Sequence, residues 1–121
     1  MTVLVWVAVA LVGGIGSVAR FEFDRWVTKH TETAFPTGTF AVNISGATIL
    51  GVIGGAALPP PVALVAGTGL IGAYTTFSTW MYETYRLTEE GQRRHAALNI
   101  VASSLVGLAA AACGLLIGEQ L

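Results

Sequence analysis

Four apolar stretches, at about residues 2–23, 37–58, 62–85 and 96–118, fill almost all of this 121-residue chain. A hydrocarbon layer about 30 Å thick is crossed by roughly 20 apolar residues in a helix. Each stretch is therefore long enough to span, and little chain is left for anything but short connections. Only 11% of the residues are charged and 54% are hydrophobic, whereas soluble domains carry about 25% charged residues. A water-soluble globule of this composition would show large bare apolar patches. The expected architecture is one all-α membrane domain with four transmembrane helices.

The breaks between spans are chemically distinct. Trp26 marks an interface after the first span, since aromatic rings favour that depth. The loop "DRWVTKHTETAFPTG" contains Pro36, a residue suited to a helix start. Pro59, Pro60 and Pro61 make a tight uncharged turn. The third loop, "RLTEEGQRRH", is strongly charged. The N-terminal apolar run lacks a positive leader and outruns a secretory h-region of about 7–15 residues, so it reads as the first span. Small residues recur every fourth position, as Ala47, Gly51 and Gly55 in span 2, and as Ser103, Gly107 and Ala111 beside Ala110, Gly114 and Gly118 in span 4. Such rows let helix backbones approach closely in lipid. Cys113 lies in the last span as a small packing residue. Gly14, Gly16 and Ala19 match a dinucleotide-binding pattern, but the strand, βαβ unit and downstream acid that the motif needs are absent.

The third span poses the chemical question. "GLIGAYTTFSTWMYE" carries hydroxyls, aromatic rings and a carboxylate at membrane depth, where hydrocarbon offers no partners. At about 100° per residue, Thr75, Thr79 and Glu83 form one stripe, flanked by Ser78, Tyr82 and Thr76. Phe77 and Trp80 lie at its edge. Thr39 and Asn43 in span 2, Asn99 and Ser103 in span 4, and Gly13, Gly16, Ser17 and Arg20 in span 1 supply matching small-polar faces. Polar residues within spans mark functional paths, although amides also join helices and hydroxyls bond back to their own helix. Gly67, Gly69 and Gly72 weaken the helix before the hydroxyl cluster. A break there would free carbonyls, which membrane proteins tolerate only when buried or lining a cavity.

"GGIGSVARF", "PTGTFAVNISGATILG" and "GLIGAYTTFSTWMYE" resemble, in order and spacing, the signature segments of CrcB/Fluc fluoride channels, across essentially the whole chain. The resemblance implies an antiparallel (inverted), dual-topology dimer of four-helix subunits, with the third helix broken near its middle. It also implies two pores and a structural Na⁺ at the dimer centre, held by the backbone carbonyls of Gly72 and Thr75. By the same resemblance Asn43 is a pore-lining donor, Phe77 turns its ring edge to fluoride, and Trp80 replaces a second Phe. Thr79 and Ser103 are pore hydroxyls, Asn99 stands where a tyrosine is frequent, Arg20 is a vestibule arginine, and Glu83 is a pore-associated acid. The implied activity is passive, fluoride-selective conduction that lowers cytoplasmic fluoride from the cell membrane.

Five of the six basic residues, Arg25, Lys29, Arg86, Arg93 and Arg94, fall on one side. The positive-inside rule places that side in the cytoplasm. One fixed orientation suits a heterodimer with an oppositely oriented paralogue, while the resemblance also allows a homodimer. Rival readings are a small four-span drug/proton antiporter, which relies on a carboxylate deep in its first span, and a non-conducting assembly subunit. Glu22 lies only at a span edge. No nucleophile–base pair or metal-ligand spacing points to an enzyme, and no basic run points to nucleic acid.

Overall fold

The computed structural model describes residues 2–121. Helix α1 runs Val3–Lys29, opened by the Thr2 hydroxyl, which accepts from the Val5 N–H at 3.4 Å. Helix α2 runs Thr37–Gly55. The third span has several pieces: one turn, α3 (Pro60–Ala63), a π-helical stretch (Leu64–Ile71), a final turn, α4 (Gly72–Tyr74), and after a break α5 (Ser78–Glu89). Helix α6 is Arg93–Glu119. All four spans are long and apolar enough to cross a membrane.

Spans 1, 3 and 4 outrun their apolar stretches, whereas α2 stops at Gly55, short of its own. α1 continues through "DRWVTK" to Lys29, because nothing in those residues stops a helix once it leaves the hydrocarbon. The proline turn is also displaced. Pro60 and Pro61 form the first turn of α3, where a missing N–H costs nothing. The chain reverses just before them, with Ala57 at φ 52°.

Two parallel pairs build the bundle. Gly51 and Gly55 of α2 abut the backbone at Ala111 and Leu115 of α6, while Gly114 and Gly118 abut Thr48 and Val52. Residue numbers rise together along both helices, so they run in the same direction. A side chain at any of these four glycines would collide with backbone, which explains the small-residue rows seen in the sequence. Gly107 meets only the tip of Ile44. Gly16 similarly brings α1 against the backbone at Leu70 and Tyr74. The apolar flanks of α1 and α6, including Leu11, Ile15, Leu105 and Leu108, are exposed, as lipid-facing surfaces are.

This topology gathers the C-terminal ends of α1 and α5 and the start of α6 at one end of the bundle. Arg25, Lys29, Arg86, Arg93 and Arg94 all lie there.

Candidate functional site: a helix break lined by donors and ring edges

The glycines bring a π-helical widening over Leu64–Ile71, and the break itself falls later, at 75–77. Thr75 is extended, at φ −82° and ψ 161°. The stripe expected from an unbroken helix is therefore wrong in one respect: Thr75 belongs to the first half of the span, and Thr79 and Glu83 to the second. What stops the helix is a side chain from α2. Asn43 Oδ1 accepts the Thr76 N–H at 2.8 Å, and Asn43 Nδ2 donates to the Thr76 carbonyl at 2.8 Å. The amide imitates a peptide group and satisfies both polar atoms of Thr76. One Nδ2 hydrogen remains, since a primary amide has two.

Freed carbonyls follow directly. In a continuous helix the Thr76 N–H would bond to the Gly72 carbonyl and the Thr79 N–H to the Thr75 carbonyl. The first goes instead to Asn43 and the second to Thr76 Oγ1, at 3.2 Å. The Thr76 hydroxyl also donates to Thr79 Oγ1 at 3.2 Å. Gly72 and Thr75, to whose carbonyls the family resemblance assigns Na⁺, both border an open groove of about 610 Å³ along α2 and the first half of span 3.

A second groove, of about 310 Å³, includes Asn43, Thr76, Phe77, Trp80 and Ser103 in its wall. The Phe77 and Trp80 rings meet edge to face, with centroids 5.7 Å apart and planes at 86°. Phe77 is 70% exposed. A third, more polar hollow of about 210 Å³ is lined by Arg20, Asp24, Thr39, Thr76 and Thr79. Thr76 borders both: the hollow beside Arg20 is polar, while the groove that reaches Ser103 is largely apolar. Glu83 lines neither space. Its carboxylate lies by Thr39, with Asp24 and Arg86 as charged neighbours. Among the described residues, Thr39 Oγ1 and Glu83 Oε1 are buried oxygens without a hydrogen-bond partner.

Asn99 is also absent from the groove walls. It is 0% exposed, between α5 and α6, and donates to Thr84 Oγ1 at 2.9 Å and to the Trp80 carbonyl at 3.4 Å. The Trp80 indole N–H donates to the Asn99 carbonyl at 3.1 Å. Thr84, which reciprocates by donating to the Trp80 carbonyl at 2.9 Å, was passed over in the sequence. Its spacing of four from Trp80 was the available signal.

Four helices long and apolar enough to cross a membrane, the third interrupted and lined there by polar groups, define a multi-pass α-helical membrane protein. The chain belongs to the CrcB family: residues 7–115 match the family described as CrcB-like protein, Camphor Resistance (CrcB). It is similar to a Mycolicibacterium paratuberculosis protein named Fluoride-specific ion channel FluC 2, with 57% identity covering 99% of this chain and 95% of the relative. The FluC 2 of Mycobacterium bovis is 56% identical, covering 94% and 90% of the two chains. The protein named Fluoride-specific ion channel FluC 1 in Leifsonia xyli is 43% identical, covering 98% and 89%.

Proposed function

We propose that this chain conducts fluoride passively across the membrane and so lowers fluoride in the cytoplasm. The observation that carries the reading is the wall formed at the helix break by Asn43, Thr76, Phe77, Trp80 and Ser103, in a chain whose relatives are named for that ion. Fluoride is small and holds water tightly, so a path must offer substitutes for its shell without trapping it. The remaining Asn43 N–H and the hydroxyls of Thr79 and Ser103 are donors. The rims of Phe77 and Trp80 carry the positive edge of the ring quadrupole. Several weak sites in series allow both entry and exit. Arg20, at the polar end, raises the local anion concentration.

Phe77 is exposed and the groove beside Gly72 and Thr75 is open, which supports a second subunit closing both. Inverted pairing would bring two copies of the break together. The Gly72 and Thr75 carbonyls, deprived of helical donors, are suitable ligands for a structural Na⁺, a hard cation whose charge would hold the two breaks in place. The gathering of five basic residues at one end of the bundle supports a subunit of fixed orientation, paired with an oppositely oriented paralogue. A C-terminal topology reporter tests this: the expected signal is on the outer side, and a substantial cytoplasmic signal from the native chain would overturn fixed orientation. The function itself is tested by fluoride efflux from liposomes holding the chain alone or with the paralogue. Efflux without a proton gradient supports a channel.

A further inference from the structure

Tryptophan at position 80 brings something phenylalanine would not: an N–H donor. Turned into a path for a small, strongly accepting anion, that group would make one site much stronger than its neighbours, and a strong site holds an ion where weak ones pass it on. The indole N–H is directed instead to the Asn99 carbonyl, at 3.1 Å. Trp80 lines the groove beside Phe77, with the one polar atom of its side chain committed to Asn99.

The connection is reciprocal. Trp80 bonds through its side chain to the backbone of Asn99, and Asn99 bonds through its side chain to the backbone of Trp80, at 3.4 Å. The other Asn99 amide hydrogen goes to Thr84 Oγ1 at 2.9 Å, and Thr84 Oγ1 donates to the Trp80 carbonyl at 2.9 Å. Ser103 Oγ reaches Asn99 Oδ1 at 3.5 Å. Both N–H groups of Asn99 are thus committed within the protein and its side chain is fully buried, so it has no donor to offer an ion. The carbonyl that receives the indole is held within reach by the turn of α5 that the Asn99 amide fastens to α6.

We infer that Asn99 is a positioning residue: it locks the Trp80 indole with its N–H turned away from the groove, so that only ring edges face the permeating anion. The inference rests on the fluoride reading above and assigns Asn99 a role through Trp80 in place of direct contact with fluoride.

A double-mutant cycle in reconstituted liposomes separates the two roles. The chain is used with its paralogue if conduction requires one. Asn99→Leu has a similar branched outline in a somewhat larger side chain; it removes the amide's bonds to Trp80 and Thr84 and leaves the backbone carbonyl that receives the indole. It is expected to slow fluoride efflux about tenfold when residue 80 is Trp, within the range of couplings between contacting residues. In the Trp80→Phe background the same change is expected to alter efflux less than about twofold. Equal slowing in both backgrounds, or none in either, would overturn the inference. Thr84→Val, which removes the 2.9 Å partner of Asn99 and the hydroxyl's bond to the Trp80 carbonyl while leaving both side chains intact, is expected to slow efflux in the same direction and also only with Trp80.

A second readout does not depend on conduction. The chain has three tryptophans, so Trp6→Phe with Trp26→Phe leaves Trp80 as the sole emitter. Its fluorescence anisotropy in liposomes is expected to fall in the Asn99→Leu and Thr84→Val variants, as the indole is released. Anisotropy unchanged by both would overturn the positioning role. If the native protein passed no fluoride, the functional reading would fail, and anisotropy alone would decide whether Asn99 holds the ring.

Discussion

Asn43→Asp is the substitution with the most to reveal, because it changes one atom in the group that stops the third helix. Asn43 holds Thr76 through two hydrogen bonds of 2.8 Å. Aspartate keeps the acceptor for the Thr76 N–H. It replaces the donor facing the Thr76 carbonyl with a second acceptor, so two oxygens confront each other. A buried group left unpaired costs about 1–3 kcal/mol, and that range lowers the population of the held geometry by about 5- to 150-fold. The same change removes the amide hydrogen left for the ion and adds a negative charge that repels it. Fluoride efflux should therefore fall at least as far as the population does, and the detergent-solubilised protein should melt at a lower temperature. Efflux lost with melting unchanged would assign Asn43 to the path alone. Native efflux together with native melting would refute the reasoning at both levels.

Gly114→Val places a side chain against the Thr48 carbonyl, with the Val52 nitrogen 3.0 Å from its Cβ. The α2–α6 contact should weaken by about 1–3 kcal/mol, read as a lowered melting temperature. Gly14→Ala, where a Cβ meets nothing within 4 Å, should not lower it. Arg20→Ala should slow fluoride efflux, more at low than at high ionic strength, because the attraction it supplies is screened over about 10 Å at 0.1 M salt; loss independent of salt would place Arg20 in a structural role. Exchanging Na⁺ for a bulky organic cation should lower the melting temperature of the assembled protein, and an unchanged melt would remove Na⁺ from the Gly72 and Thr75 carbonyls.

The four spans were legible in the sequence because hydropathy over about 20 residues is a strong signal, and the glycine rows of α2 and α6 because close packing leaves a four-residue period. The position of the break was not. Gly67, Gly69 and Gly72 mark local weakness, and the helix responds there by widening into a π-helical stretch. It stops only where Asn43, 33 residues away in the chain, supplies a competing peptide-like partner. Local propensity cannot report a partner contributed by another helix. The same limit applied to Asn99. Its spacing of four from Ser103 looked like a polar face, and both residues do lie on one side of α6. Which of them meets the groove depends on α5, whose Trp80 and Thr84 cover Asn99 and leave Ser103 at the wall. Proline turns were read correctly as breaks and misplaced by a few residues, since Pro60 and Pro61 open the next helix.

The most direct test is fluoride release from liposomes containing the purified chain, alone and together with an oppositely oriented paralogue, with no proton gradient imposed. The account predicts rapid fluoride release from at least one of these preparations, with chloride retained. Vesicles as tight to fluoride as protein-free ones, in every combination, would contradict it.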